Sequence, residues 1–241
     1  MKEIAAEEIQ DFDTSLDRLW ARRDLVVLAT GALICLRSIH RRAALIGALP
    51  RLRYAVISAE DYVLGTAEEV IRDAVRDAAR LPGVRVVVLY LSCLDILVRP
   101  DFADIERSLT EETGCIIRCF FRGPLAKADA LSHEPAEELL AELPPDEGDV
   151  TASAPLPPPM SDIAGVSDFL RSDGTAYVLV TPSGCRNALA RMDLMPERSD
   201  VYALIPQAED YIFGMEETVA AEIGALAAEG TYRTVHLLSS P

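Results

Sequence analysis

The spacing of apolar residues along this chain switches repeatedly between a helical period and short buried runs. An acidic amphipathic stretch, about Ile4 to Arg22, predicts a helix, and Leu25-Val-Val-Leu-Ala29 after it predicts a short buried strand. A turn carrying Cys35, a helix to about Leu49 and a strand near Tyr54 to Ile57 follow. Thr66, with Glu69 three residues on, predicts a capping box, in which each side chain satisfies an orphan N–H of a helix's first turn. In that helix Val70, Ile71, Ala74, Val75 and Ala78 share a face, opposite Arg72, Asp73, Arg76 and Asp77. Val84 to Leu91 is apolar apart from Arg85, the pattern of a central parallel strand covered on both sides. A helix (Phe102 to Thr113), a strand (Cys115 to Phe120) and a helix (about Leu125 to Leu143) complete the unit.

Strands alternating with helices predict an α/β fold with a parallel sheet of Rossmann type, whose ligands bind beyond the carboxyl ends of the strands. Cys35 and Cys93 both fall there. Between Leu143 and Met160 the pattern gives way to Pro, Asp, Glu, Ser and Ala, the composition of a semi-rigid linker. The first pattern then begins again. Ala59-Glu-Asp-Tyr-Val-Leu-Gly-Thr-Ala-Glu68 recurs as Ala208-Glu-Asp-Tyr-Ile-Phe-Gly-Met-Glu-Glu217, a shift of 149 residues. Its flanks agree: Arg85-Val-Val-Val-Leu-Tyr-Leu-Ser92 is echoed by Arg233-Thr-Val-His-Leu-Leu-Ser-Ser240. The expectation is therefore two tandem Rossmann-like parallel-sheet units related by an internal repeat, the second incomplete. Residues 1–142 form the first, 143–160 the linker and 161–241 the second. A sheet stopped after its third strand leaves an unpaired edge for another chain to cover, unless the chain is a fragment.

Composition narrows the function. The formal charge of -16 arises from 39 acidic against 23 basic residues, and only Lys2 and Lys127 are lysines. Such a surface repels nucleic acid, whose binding needs Lys and Arg to neutralise phosphates. The longest apolar stretch, Leu25 to Leu36, falls well short of the ~20 residues that span a bilayer, and the acidic N-terminus is unlike a signal peptide. A cytoplasmic protein is expected, and in that reducing compartment the five cysteines are packing residues, thiols or metal ligands. Cys115 and Cys119, inside a strand pattern, read as core. Cys35, Cys93 and Cys185 lie in turns at strand ends, where packing and metal ligation are both open. His40, His133 and His236 have no metal-type spacing, and no glycine-rich phosphate or dinucleotide loop is present. Glu60-Asp61 and Glu209-Asp210 precede a glycine turn and a helix, whose N-terminus they favour.

Four motifs carry a family resemblance. Thr30-Gly-Ala-Leu-Ile-Cys35 and Thr181-Pro-Ser-Gly-Cys185 are similar to a His-Gly-Pro-x-Gly-Cys turn, and Glu60-Asp-Tyr-Val-Leu-Gly65 and Glu209-Asp-Tyr-Ile-Phe-Gly214 to a Glu-Asp-x-Val-Phe-Gly segment. Leu91-Ser-Cys93 ahead of Asp101 to Ile105 is similar to a strand-end Ser/Thr-x-Cys before a Gly-Asp-Asp-Ile helix start. Ile117-Arg-Cys-Phe-Phe-Arg-Gly123 matches Val/Ile-Arg-Cys-x-x-Phe-Arg-Gly, one residue shorter. In this order they resemble component 1 of the nitrogenase superfamily, which includes the dark-operative protochlorophyllide and chlorophyllide reductases.

The resemblance implies an oxidoreductase that relays electrons through an iron–sulfur cluster of [4Fe-4S] type. Cys35 and Cys93 would be metal ligands from one half and Cys185 from the other, around a cluster formed where the two halves face each other. It also implies an ATP-dependent iron–sulfur reductase protein as electron donor, and a second component 1 subunit or a homodimer. The chain departs from the family in lacking a cysteine some two dozen residues before Cys35, where Asp11, Asp13 and Asp17 stand; a carboxylate can replace a thiolate in this superfamily. It carries no later domain for a tetrapyrrole or a catalytic metal cluster, so no substrate residues carry over. The alternative is a non-catalytic scaffold or cofactor-assembly module of the same fold. A thiol-redox protein ranks last, because no Cys-x-x-Cys pair exists.

Overall fold

The computed structural model describes residues 2–3, 15–98, 100–121, 136–150, 154–159, 173–180, 200–206 and 208–239. The chain divides into a central unit, Asp13–Met160, and a C-terminal unit, Met1–Phe12 with Ser161–Pro241.

In the central unit, α1 (Ser15–Leu19) leads into β2 (Leu25–Gly31), α2 (Leu33–Leu45) and β3 (Leu52–Val56). Two helices, α3 (Ala59–Leu64) and α4 (Ala67–Ala79), then precede β4 (Val86–Leu91). The short α5 (Cys93–Val98), α6 (Phe102–Thr113), β5 (Ile116–Phe121) and α7 (Ala136–Glu142) complete it. The strands lie in the order β3-β2-β4-β5, all parallel. This is a doubly wound order, in which the connections leaving β2 and β4 diverge and open a crevice at their carboxyl ends. Every residue of β2 and β4 is buried, as expected for strands covered on both faces. One core layer joins Val26, Leu28, Val87 and Leu89 of the sheet to Ile71 and Val75 of α4 and Ile105 and Leu109 of α6.

The polar face of α4 answers α6. Arg72 bonds Glu68, Asp104 and Ser108, each at 2.8 Å, and Arg76 reaches Glu112 at 2.7 Å. The capping box lies one helix earlier than the Thr66–Glu69 spacing predicts. Ser58 Oγ accepts from the Asp61 amide at 3.1 Å while Asp61 Oδ2 accepts from the Ser58 amide at 2.9 Å, so the box opens α3. Thr66 caps nothing with its side chain and instead donates to Asp61 Oδ1. The Pro-rich stretch after Leu143 is fastened over residues 144–150. Arg22 donates to the Pro144 carbonyl, the Arg23 amide to Asp146, and the Val150 amide to the Arg23 carbonyl. Gly83 makes room for it, since a Cβ there would collide with the Asp149 backbone.

The C-terminal unit holds β6 (Thr175–Val180), β7 (Val201–Leu204), α8 (Ala208–Phe213), α9 (Glu216–Ala228) and β8 (Thr234–Ser239). Its sheet runs β1-β7-β6-β8, with β1 (Lys2–Glu3) antiparallel on β7. The first residues of the chain thus pair in this unit; the helix expected from Ile4 is described only over Ser15–Leu19, and residues 4–14 lie outside the described set. The three parallel strands repeat the central sheet in order and in register. Val27 pairs with Leu52 and Leu25 with Val86; Tyr177 pairs with Val201 and Thr175 with Thr234. Among the described residues the counterpart of β5 is missing, so this unit has three parallel strands where the central one has four.

Candidate functional site

The crevice of the central sheet lies between the carboxyl ends of β2 and β4, where the Ser92 side chain lies against the backbone of Gly31. Gly31 ends β2 with φ at 120°, a conformation side-chain-bearing residues avoid. A Cβ on it would stand 2.8 Å from the Ser92 Cβ and 3.8 Å from the Cys35 Cβ. Glycine is therefore needed both for the turn and for the approach.

Asp95, 1 % exposed, holds this junction together. Its Oδ2 accepts from the Thr30 hydroxyl at 2.5 Å and from both the amide and the hydroxyl of Ser92 at 2.7 Å. Its Oδ1 accepts from the Tyr62 hydroxyl at 2.9 Å. One carboxylate thus ties the end of β2, the start of α5 and the short α3. Burial, together with the Asp95 carboxylate, pushes the Tyr62 phenol well above its ordinary value. With four donors on two oxygens, Asp95 is a positioning group, not a general base.

Around this pin stand the two thiols singled out by the sequence. Cys35 lies in the first turn of α2 and Cys93 is the first residue of α5; both are half-buried and neither forms a disulfide. Cys35 is close enough to Tyr62 to act on it electrostatically. The amide end of a helix as long as α2 favours an anion such as a thiolate. The same helices carry exposed apolar side chains: Leu33 of α2, Val63 and Leu64 of α3, and Leu94, Leu97 and Val98 of α5. Val63 is 84 % exposed, and its counterpart Ile212 in the repeat is 74 % exposed.

The remaining candidates separate cleanly. Cys115 and Cys119 are buried in the core; burial raises both thiols, and Glu106 raises Cys119 further, so they keep their protons at neutral pH. His40 shares a short hydrogen bond with Tyr54, and His236 stacks on Tyr177 at 5.7 Å. Glu60 and Asp61 sit in the first turn of α3, the short helix that Gly65 ends, and not at the N-terminus of α4 after the glycine turn, where their spacing had pointed. Cys185 and His133 lie outside the described residues, although the 150-residue step from Val27 to Tyr177 also carries Cys35 onto Cys185.

Thr30, Tyr62, Ser92 and Asp95 escape a reading of motifs one by one. The signal available was Ser92-x-x-Asp95, the same cap pattern as Ser58-x-x-Asp61, with an acid inside the apolar run Leu91–Val98. As a metal site the described residues fit in part. Two thiols flank the crevice, but no group of three or more His, Cys, Asp or Glu side chains is placed among these residues to hold an ion. Among them, too, no helix is long and apolar enough to cross a membrane. Set against the models of known protein families and against curated proteins, the chain matches none.

Proposed function

We propose that the chain is a cytosolic, electron-accepting component of a nitrogenase-like reductase, and that Cys35 and Cys93 supply two thiolate ligands to an iron–sulfur cluster. The observation that carries this reading is the position of the two thiols. They stand in the first turns of the helices that follow two adjacent strands at the switch point of a doubly wound sheet, where such folds place their ligands. A bound cluster would supply one-electron transfer, taking electrons from an ATP-dependent reductase protein and passing them to a substrate. The chain's own residues do the holding. Gly31 makes room for the Ser92 side chain at the end of β2, and Asp95 fixes α5 and hence Cys93. Cys185, the third ligand that the resemblance implies, lies outside the described residues.

The test is anaerobic iron and acid-labile sulfide content, with the visible spectrum, on reconstituted protein. Iron and sulfide in cluster proportion, lost in Cys35→Ala and in Cys93→Ala but kept in Cys115→Ala, are expected. A second reading rests on the exposed apolar side chains of α2, α3 and α5, which suit a protein-docking surface with or without a cluster. Folded, colourless, metal-free protein would overturn the redox reading and leave a non-catalytic scaffold or cofactor-assembly module.

A further inference from the structure

The apolar pair Val63-Leu64 stands on a helix that is not held by burying apolar surface. None of the six residues of α3 is buried, and a helix this short does not persist by itself. Polar contacts fix it instead. Ser58 and Asp61 form the capping box, Thr66 donates to Asp61, and Tyr62 donates to Asp95. The pair is therefore held in place yet turned to solvent, Val63 84 % and Leu64 65 % exposed. Scattered exposed apolar residues are ordinary, but an adjacent pair exposed at the same place in both units is not. Ile212 and Phe213, 149 residues on, are 74 % and 84 % exposed. In the central unit α3 is followed by α4, β4, α5, α6 and β5, so the exposure of Val63 and Leu64 owes nothing to where the chain stops.

The charge carried beside the pair has one sign. Between Arg53 and Arg72 the sequence holds Glu60, Asp61, Glu68 and Glu69 and no basic residue. Asp61 is used by the cap and Glu68 by Arg72, while Glu60 and Glu69 are exposed. Glu60 lies three and four residues before Val63 and Leu64, the spacing that sets side chains next to one another on a helix. The repeat keeps the same spacing in Glu209, Ile212 and Phe213.

We infer that Glu60, Val63 and Leu64 dock a cationic amphipathic polypeptide segment, one whose large apolar side chains are flanked by Lys or Arg. This rests on the reading of the exposed side chains as a docking surface and adds the chemistry of what binds there. Charge selects the occupant. A second copy docking through the same pair would set Glu60 and Glu69 against themselves, and an acidic partner would do the same. A basic segment lays its apolar side chains over Val63 and Leu64 and its cations beside Glu60.

The probe is a peptide of Leu-Lys-Lys-Leu repeats carrying a photoactivated benzophenone, irradiated with the full chain. Trypsin cuts after Arg53 and Arg72, so a cross-link at the pair labels the fragment 54–72. That label is expected in the wild type, and equally in Leu45→Ser, at a position 70 % exposed at the far end of α2. It should fall about tenfold or more when Val63→Ser and Leu64→Ser are combined. Glu60→Gln should lower it about two- to fivefold. An unlabelled fragment, or a label that survives the paired serine substitutions, would overturn the inference. A matching Leu-Glu-Glu-Leu peptide, expected to leave the fragment unlabelled, tells what has failed. If it labels the fragment and the lysine peptide does not, the surface docks a partner of the opposite charge; if neither does, the docking reading falls as well. Far-ultraviolet circular dichroism of each variant shows that a lost label is not a lost fold.

Discussion

At the scale of single residues, the junction of β2, α3 and α5 depends on one carboxylate. In Asp95→Asn, an amide NH2 must face one of the donors on Thr30, Ser92 or Tyr62, each of which loses its acceptor in a site closed to water. A loss of about 2–4 kcal/mol is expected, from one broken charge-assisted bond and one unsatisfied donor. Urea denaturation measures it, and a change below about 1 kcal/mol would show that the pin is dispensable. The same variant should weaken iron retention in reconstituted protein, because Cys93 is the first residue of the helix that Asp95 anchors. Tyr62→Phe removes only one of the four donors and leaves no orphan on the ring, so a cost nearer 1 kcal/mol is expected there. Of these partners only Ser92 is near Asp95 in sequence. Thr30 and Asp95 are separated by 65 residues and Tyr62 and Asp95 by 33, which is why motif by motif the sequence singles out the two cysteines and passes over the carboxylate beside them.

At the scale of elements, legibility followed local pattern. The valine run of β4 and the two-faced α4 announce themselves, because burial on both faces and on one face leave different periods. The short α3 does not: it has six residues, none of them buried, and the cap signal at Thr66 obscured the one at Ser58. Substitution separates the two. Ser58→Ala is expected to cost about 1 kcal/mol, the usual loss of a serine N-cap, and Thr66→Ala less than half of that. Equal costs from urea denaturation would return the cap to Thr66. β1 escaped because its partner Ala203 is set by the fold and not by a neighbouring residue. The strap over residues 144–150 has a linker's composition and holds its place by bonds to Arg22, Arg23 and Arg85. In the core, Ile71→Ala should cost about 2–5 kcal/mol, since this fully buried side chain on α4 packs against the sheet.

At the scale of the whole molecule, the excess of acid sets how stability responds to pH, and two groups of residues act in different windows. Arg72 holds Asp104 below its ordinary value of 3.8, Arg76 holds Glu112 below 4.5, and the Ser58 side chain and amide do the same for Asp61. A carboxylate depressed by folding contributes stability that is present above its unfolded value and is lost as pH falls through the folded one. These groups therefore act below about pH 4.5. His40 acts higher. Burial lowers it from 6.5, so as pH falls through 6.5 the unfolded chain takes up the proton first and the folded state loses stability until the folded value is passed. Acidification also relieves repulsion among the 39 acidic residues, an opposing effect that a total stability curve cannot separate. The comparison of wild type with His40→Gln separates it, because repulsion is common to both. The expected result is that the stability of the wild type relative to His40→Gln, from urea denaturation, is level above pH 7 and falls as the pH drops below 6.5. A difference that stays level across that window would mean that His40 titrates alike in the folded and unfolded chain, and that its hydrogen bond with Tyr54 does not depend on the neutral ring.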